Sequence, residues 1–257
     1  MAAFSEVYDA RYRSGYREKV SGYEVARWKA LSHFIPRVLG PRAPEAVLDY
    51  GAGSGLHVAL WEKVFPGSDL SFCDVSSEAK ERFAAKFQGR AQSYRLVRDN
   101  RADYEDGSFD VVVSVEVMEH VEDLGAYLKD ILRLLKPGGR FVWTTPCGNA
   151  LSIEHVFSAM TGRIEKTAEG LRRWTWEDPT HLRRLKTREL EALLRDCGYG
   201  DVLFRFRSHV FSFVCAYAPP RRRLLKLRER LMLLDYGLLR RLPNGASMLG
   251  SARRPGA

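Results

Sequence analysis

The sequence predicts an α/β fold: a Rossmann-like, doubly wound sheet of about seven strands, with an inserted cap and an amino-terminal helical lid. Three observations predict it. Short apolar runs alternate with helical patterns between residues 46 and 146. The first run, "AVLDY", leads straight into the glycine cluster "GAGSG" at 51–55. A later run, "FDVVVSVEV" at 109–117, is apolar almost throughout, as a parallel strand covered on both faces must be.

Taken in order, residues 1–45 read as one or two amphipathic helices carrying Tyr8, Arg11, Tyr12, Tyr16, Arg17 and Tyr23. This lid section is closed by Pro36, Gly40, Pro41 and Pro44. "AVLDY" (46–50) is a short buried strand, and "LHVALWEKVF" (56–65) has helical periodicity. "LSFCDVS" (70–76) is a second strand, followed by the helical "SEAKERFAAKF". "SYRLVRD" (93–99) is a third strand and 109–117 a fourth. "LGAYLKDILRLLKPGG" (124–139) is an amphipathic helix with a Pro-Gly-Gly stop, and "RFVWTTP" is a fifth strand. Residues 147–180 break the rhythm and read as a cap inserted into a domain spanning 46–257. A helix, a turn and a strand follow in 187–209, and "ASMLGSARRP" (246–255) reads as a last edge strand.

The chain has 257 residues and is 45% hydrophobic, enough for a full core. Cys73, Cys147, Cys197 and Cys215 lie far apart with no CxxC pair, so they read as buried free thiols rather than a zinc site. The amino terminus lacks the apolar stretch of a secretion signal, and no run approaches the roughly 20 residues that span a bilayer. The expected location is therefore cytoplasmic. The net charge is +9, but residues 221–241 hold eight basic residues against Glu229 and Asp235 and account for +6 of it. A global nucleic-acid-binding surface is not expected.

The glycines do not make a phosphate-cradling P-loop, which needs GxxxxGK[ST], and Leu56 stands where a dinucleotide fingerprint needs its third glycine. Asp74 ends the second strand, where an α/β sheet places a carboxylate that accepts ribose hydroxyls. Asp99 and Asn100 follow the third strand, where an adenine amino group could be read.

"VLDYGAGSG", Asp74, "RDN" with "DGSFDVVVSVEVMEHV", and "LLKPGGRFVWTTP" resemble, in order and spacing, the successive motifs of the class I S-adenosylmethionine-dependent methyltransferases. The resemblance covers residues 45–146. It implies S-adenosylmethionine held by Gly51, Ala52, Gly53 and Gly55 at the methionine part, Asp74 with Val75 at the ribose, and Asp99 with Asn100 at the adenine. Asp49 would sit under the glycine loop and orient it, and Ser114 lies at the end of the fourth strand.

The [ND]PP[YF] tetrad of amino-group methylation on DNA or glutamine is absent after the fourth strand. That place reads "VEVMEHV", similar to the "MExLEHV" stretch of the ubiquinone-biosynthesis O-methyltransferases. The resemblance implies a divalent cation, Mg²⁺ or another hard to borderline ion, on Glu116, Glu119 and His120. "EH" also occurs at this place in the superfamily with no metal. Transfer to oxygen needs a base, and histidine suits it. His120 is the first candidate base, alongside Glu116 in the crevice. His181 is the second, because "THLRRLKTREL" resembles the "THxxxFxxxEL" stretch that closes the acceptor side of such pockets. His155, Trp174, Trp176 and Arg17 are candidate acceptor-binding residues, since tryptophan faces stack on sugars or aromatics and arginines capture anions. The expected activity is methyl transfer to a hydroxyl of a small-molecule, sugar or lipid-linked glycan acceptor. Transfer to an amine or carboxylate, or a non-catalytic cofactor-binding scaffold, are the alternatives.

In "RRRLLKLRERLMLLDYGLLRRLP", Leu224, Leu227, Leu231, Leu234 and Leu238 follow a helical stripe with arginines on its flanks, although Gly237 weakens a single long helix. Such a helix suits an anionic membrane surface, a homodimer contact, or a groove on its own sheet.

Overall fold

The computed structural model describes residues 2–16, 21–166, 172–217 and 224–256. Eight strands form one sheet: β1 (Ala46–Tyr50), β2 (Asp69–Asp74), β3 (Tyr94–Arg98), β4 (Arg101–Ala102), β5 (Phe109–Val115), β6 (Leu135–Pro146), β9 (Gly200–Arg207) and β10 (Ser247–Arg253). Their order is β4-β3-β2-β1-β5-β6-β10-β9, and β7 (Ile164–Lys166) with β8 (Arg172–Trp174) makes a separate hairpin. The eighth strand, β4, has only two residues. It exists because Asp99 and Asn100 both take positive φ, the conformation of a tight two-residue hairpin turn.

β10 is not the edge strand expected from its sequence. It runs antiparallel between β6 and β9, and β9 forms the edge. Gly250 permits this: it pairs with Trp143, and a Cβ there would stand 2.1 Å from the indole ring. β9 consequently runs parallel to β6, so its last residue, Arg207, joins the same carboxyl edge as Tyr50, Asp74, Val115 and Pro146. The strand order reverses between β1 and β5, which places a crevice at that edge.

Both faces of the sheet are covered. On one, Val47, Val111, Val113 and Leu249 meet Leu31, Phe34 and Ile35 of α2 (Gly22–Leu39), Trp61 of α3 (Val58–Val64), Phe83 of α4 (Ser77–Lys86) and Tyr236 of α9 (Leu225–Leu239). On the other, Leu48, Val112 and Phe141 meet α5 (Leu124–Leu134) and α7 (Thr187–Asp196). Asp123 caps α5 by accepting from the Ala126 N–H at 2.8 Å, and Leu124, Leu128, Ile131 and Leu134 form its buried stripe. Truncating one of these to alanine costs about 2–5 kcal/mol.

The lid is shorter than the 45 residues expected. Pro36 lies inside α2, which continues to Leu39 because its apolar face is locked onto the sheet. Among the described residues of this section, α1 (Ala2–Arg13) and Tyr16 are the ones that line the crevice. The cap is longer than 147–180: Cys147 bridges to Leu185, and the Gly148 N–H donates to Leu185 O at 2.8 Å, closing its base. It contains α6 (Ile153–Met160) and the β7–β8 hairpin, and α8 (Phe211–Tyr217) follows β9. No described helix is long and apolar enough to cross a membrane.

Asp49 points behind the sheet, where its Oδ2 accepts from Trp61 Nε1 at 2.6 Å and its Oδ1 has no partner among the described residues. Burial, reinforced by the charge of Asp74 and only partly offset by the Trp61 hydrogen bond, pushes its pKa up to about 7. The folded protein therefore holds a proton that the unfolded chain releases above pH ~4, so stability falls as pH rises from ~4 to ~7. Asp49→Asn should remove this component, at most about 1.4 kcal/mol per pH unit. Urea titrations at pH 5 and pH 8 check it: the variant should gain on the wild type at the higher pH, and parallel losses would contradict it.

Candidate active site

Beyond β1 the chain turns so that the Gly51 and Ala52 N–H groups both donate to Cys73 O, at 2.8 and 2.9 Å. The Asp74 carboxylate then accepts from the Gly53 N–H at 2.9 Å and the Ser76 N–H at 3.0 Å, joining the glycine loop to the start of α4. Gly53 has φ +55°, and a Cβ there would stand 2.1 Å from the Tyr12 hydroxyl. A side chain there would have to push the tip of that tyrosine aside and take a backbone conformation that favours glycine.

A cavity of about 90 Å³, partly open to solvent, lies against this loop. Gly51, Asp74, Val75, Asn100, Glu116 and His120 line it together. Tyr50 and Tyr127 also line it; Ser114 sits behind them, donating to Tyr50 O and accepting from the Tyr127 hydroxyl, both at 2.7 Å. Six of the ten expected cofactor residues do not line the cavity: Asp49, Ala52, Gly53, Gly55, Asp99 and Ser114. Asp49 is turned to Trp61 and does not orient the loop. Gly55 faces the Phe83 and Phe87 rings. Asp99 lines a neighbouring groove beside Asp9, because the tight β3–β4 turn brings only Asn100 into the cavity.

α1 closes the cavity from above and is tied down at two places. Asp9 accepts from Ser76 Oγ at 2.5 Å, Ser77 Oγ at 3.0 Å and the Glu78 N–H at 3.1 Å. Partial burial would raise its pKa, but these donors outweigh that and lower it. Arg11 pairs in bidentate fashion with Asp178, donates to Thr180 Oγ1 at 2.6 Å, and lies 3.9 Å from the centre of the Tyr16 ring. Burial also opposes the charge on Asp178, yet Arg11 and the Thr180 donors bring its pKa well below the carboxylate range. Arg17 lies outside the described residues.

The turn Asp178–His181 places the histidines. Thr180 donates its hydroxyl to Asp178 Oδ1 at 2.8 Å. His120 Nδ1 lies 3.1 Å from both Thr180 O and Thr180 Oγ1, so the two atoms beside it act as acceptors. That assigns the ring proton to Nδ1 and leaves Nε2 as the basic nitrogen. The His181 ring lies 4.7 Å from the His120 ring, and Glu119, fully buried, accepts from Thr145 Oγ1 at 3.0 Å. Burial would lower the His181 pKa, but the neighbouring Glu177 and Glu119 carboxylates raise it.

Glu116 departs from the expected ligand set. Its Oε1 accepts from Thr144 at 2.8 Å and its Oε2 pairs with Arg27 Nη2 at 3.0 Å, so both oxygens are committed. Burial opposes its charge, but Arg27 and then Arg207 hold its pKa below normal. Its φ of +54° is a strained conformation for a residue with a side chain, retained where packing over-determines it. Ligand atoms of Glu119, His120 and His181 instead lie within 4.8 Å of one another. A divalent cation would fit that set, two imidazoles and one carboxylate, rather than Glu116 with Glu119 and His120.

The described cap candidates, His155, Trp174 and Trp176, do not line the cavity. Trp174 is 2% exposed, set between His155, 5.4 Å between ring centres, and the Arg184 guanidinium at 4.7 Å. Its ring has no free face for an acceptor. Trp176 donates to Ser158 Oγ at 2.9 Å. Arg184 pairs with Glu154 at 2.8 Å and with Glu177, which makes it the cap's anchor. Sequence reasoning missed Arg184, Arg27, Asp178 and Thr180 as parts of the site. Arg11 and Tyr8 stood out at helical spacing, but nothing in the sequence named their partners 167 and 172 positions away.

Arg11→Met should loosen the lid without unfolding the domain. Losing a charge-assisted pair of this kind should speed amide exchange across α1 by roughly tenfold. Exchange mass spectrometry checks this, and unchanged protection of residues 2–13 would contradict it.

Residues 17–203 match a family model described as a methyltransferase domain. The chain is 35% identical over 115 residues to the ubiquinone biosynthesis O-methyltransferase of Thiobacillus denitrificans, covering 44% of this chain and 49% of that protein. It is 29% identical over 122 residues to a ubiquinone/menaquinone biosynthesis C-methyltransferase of Desulfotalea psychrophila, covering 47% and 48%. The chain thus spans about half the length of these curated relatives. Among solved structures, it resembles Haemonchus contortus phosphoethanolamine N-methyltransferase 2 with S-adenosylhomocysteine (TM-score 0.59, 15% identity, 94% of this chain and 59% of that one). It also resembles an S-adenosylmethionine-dependent methyltransferase of Mesorhizobium loti (TM-score 0.56, 20% identity, 89% and 98%). At these identities the structural likeness concerns the fold.

Proposed function

The chain belongs to the class I S-adenosylmethionine-dependent methyltransferases, and on that premise we propose that it methylates a hydroxyl oxygen of a small organic acceptor. The observation that carries this reading is the oriented His120 imidazole on the cavity wall, its Nδ1 fixed by Thr180 and its basic Nε2 4.0 Å from Glu119 Oε1.

In this reading the adenosine lies in the cavity over Gly51, Val75 and Asn100, and the Asp74 carboxylate accepts from the ribose. That carboxylate is held at the cavity wall by the Gly53 and Ser76 amides, and a carboxylate so placed accepts from vicinal hydroxyls. S-adenosylmethionine, when bound, supplies an electrophilic methyl group on a positively charged sulfur. The protein's own part is to hold the acceptor in line with it, exclude water beneath α1, and take the hydroxyl proton. His120 Nε2 receives that proton. The imidazolium so formed is stabilised by Glu119, whose Oε1 lies 4.0 Å from it.

A second reading rests on the Glu119, His120 and His181 set. With a divalent cation held there, His120 is a ligand and the cation supplies the acidification of the acceptor hydroxyl. Relatives that methylate carbon as well as oxygen leave the acceptor atom to experiment.

Asp74→Ala should weaken S-adenosylmethionine binding at least 100-fold by calorimetry, and unchanged affinity would contradict the placement. His120→Ala should lower kcat by about 10²–10⁴ with the cofactor Kd unchanged, read as S-adenosylhomocysteine release over hydroxyl, amine and carboxylate acceptors. Full turnover in that variant would remove the base. Full activity of the wild type in excess EDTA favours His120 as the base; loss restored by a divalent cation favours the ligand set.

A further inference from the structure

The leucine stripe of residues 224–238 is not the face that α9 buries. The helix runs unbroken through Gly237 and turns Met232, Asp235 and Tyr236 inward, against α2, α8 and β9. Leu227, Leu234 and Leu238 remain 53%, 47% and 69% exposed, and Leu231 alone of the stripe packs partly inward, against a small cluster with Met232. The helix thus has two apolar sides, one of them without a covering among the described residues.

The charges beside that side have one sign. Lys226, Arg230 and Arg241 are exposed. Of the two acids in the segment, Asp235 is fully buried, accepting from the His209, Val210 and Ser212 N–H groups, and Glu229 lies 3.8 Å from Lys29. Arg221, Arg222 and Arg223 lie outside the described residues.

The end of this helix is fastened to the edge of the sheet that holds the cavity. Leu242 O accepts from His209 Nε2 and Pro243 O from Asn149 Nδ2, both at 3.0 Å, which joins it to the base of the cap. Two residues beyond Asn149 the cap presents Leu151, 72% exposed at φ +67°, and α6 then presents Phe157 and Met160, 50% and 82% exposed. A leucine held in a strained conformation and out in water is costly twice over, and such outliers point to a role outside folding.

We propose that this face docks on an anionic lipid surface. The leucines and the cap's Leu151, Phe157 and Met160 enter the headgroup–acyl boundary, and Lys226, Arg230 and Arg241 meet acidic headgroups. Charge decides the occupant: a second copy placed face to face would set these cations against their own kind, whereas acidic lipid attracts them. Docking in this way turns the cavity edge of the sheet toward the membrane.

The test is sedimentation of the full chain with vesicles of phosphatidylcholine alone or with about one-third phosphatidylglycerol. The wild type should partition about tenfold more into the acidic vesicles, and less as salt rises. The variants Leu234→Glu/Leu238→Glu and Arg230→Glu/Arg241→Glu should each lose about tenfold of that binding while keeping the wild-type Kd for S-adenosylhomocysteine, which shows that they fold. Absence of wild-type binding, or binding by both variants at the wild-type level, overturns the proposal. So does a wild-type dimer in sedimentation equilibrium that the leucine variant dissociates, because a second copy would then cover this face.

Discussion

The Asp178–His181 turn is the junction on which the site depends. Its aspartate grips Arg11 of the lid, and its threonine meets Arg11, Tyr8 and His120. Its histidine stands against His120, and the next residue, Leu182, donates its N–H to Glu119 O at 2.8 Å. Lid, cap and the segment after β5 are therefore joined through five consecutive residues, 178–182. A shift in that turn would alter cover, imidazole orientation and the Glu119–His120–His181 spacing together. Charge-assisted bonds in a partly buried place are strong enough to hold such a junction and still reversible enough for a ligand to enter.

A second constraint comes from burying charge. Glu116, Glu119, Glu154, Glu177, Arg27 and Arg184 all lie at or near the carboxyl edge with little solvent. An unpaired buried charge is several kcal/mol uphill, and three of these acids, Glu116, Glu154 and Glu177, share the two arginines with Glu24. Arg27 joins Glu24 to Glu116; Arg184 joins Glu154 to Glu177. Glu154 is the exception in protonation, since burial outweighs Arg184 and raises its pKa. The network ties α2 and the cap to the carboxyl edge of the sheet.

Local pattern carried the fold far. β1 spans the predicted residues, and Gly51, Asp74, Val75 and Asn100 meet at one cavity because strand ends and the glycine turn are set by short-range sequence. Long-range pairing was not legible in the same way. Which face of β1 carries Asp49 depends on Trp61, and the place of β10 depends on Gly250 accommodating Trp143. Trp174 was readable as an aromatic and not as a buried one, because its partners His155 and Arg184 come from separate parts of the cap. The metal-ligand set is the same lesson: Glu116 has the right chemistry at the right spacing, and Arg27, 89 residues earlier in the chain, takes its oxygen.

The account stands on adenosine occupying the cavity between the glycine loop and α1. A crystal structure with sinefungin bound tests that most directly. It should show the ribose on the Asp74 carboxylate, the base beside Asn100, and Tyr12 moved off Gly53 or packed on the ligand. Sinefungin bound elsewhere, with the Tyr12 hydroxyl still seated on Gly53 and the cavity unfilled, would contradict it.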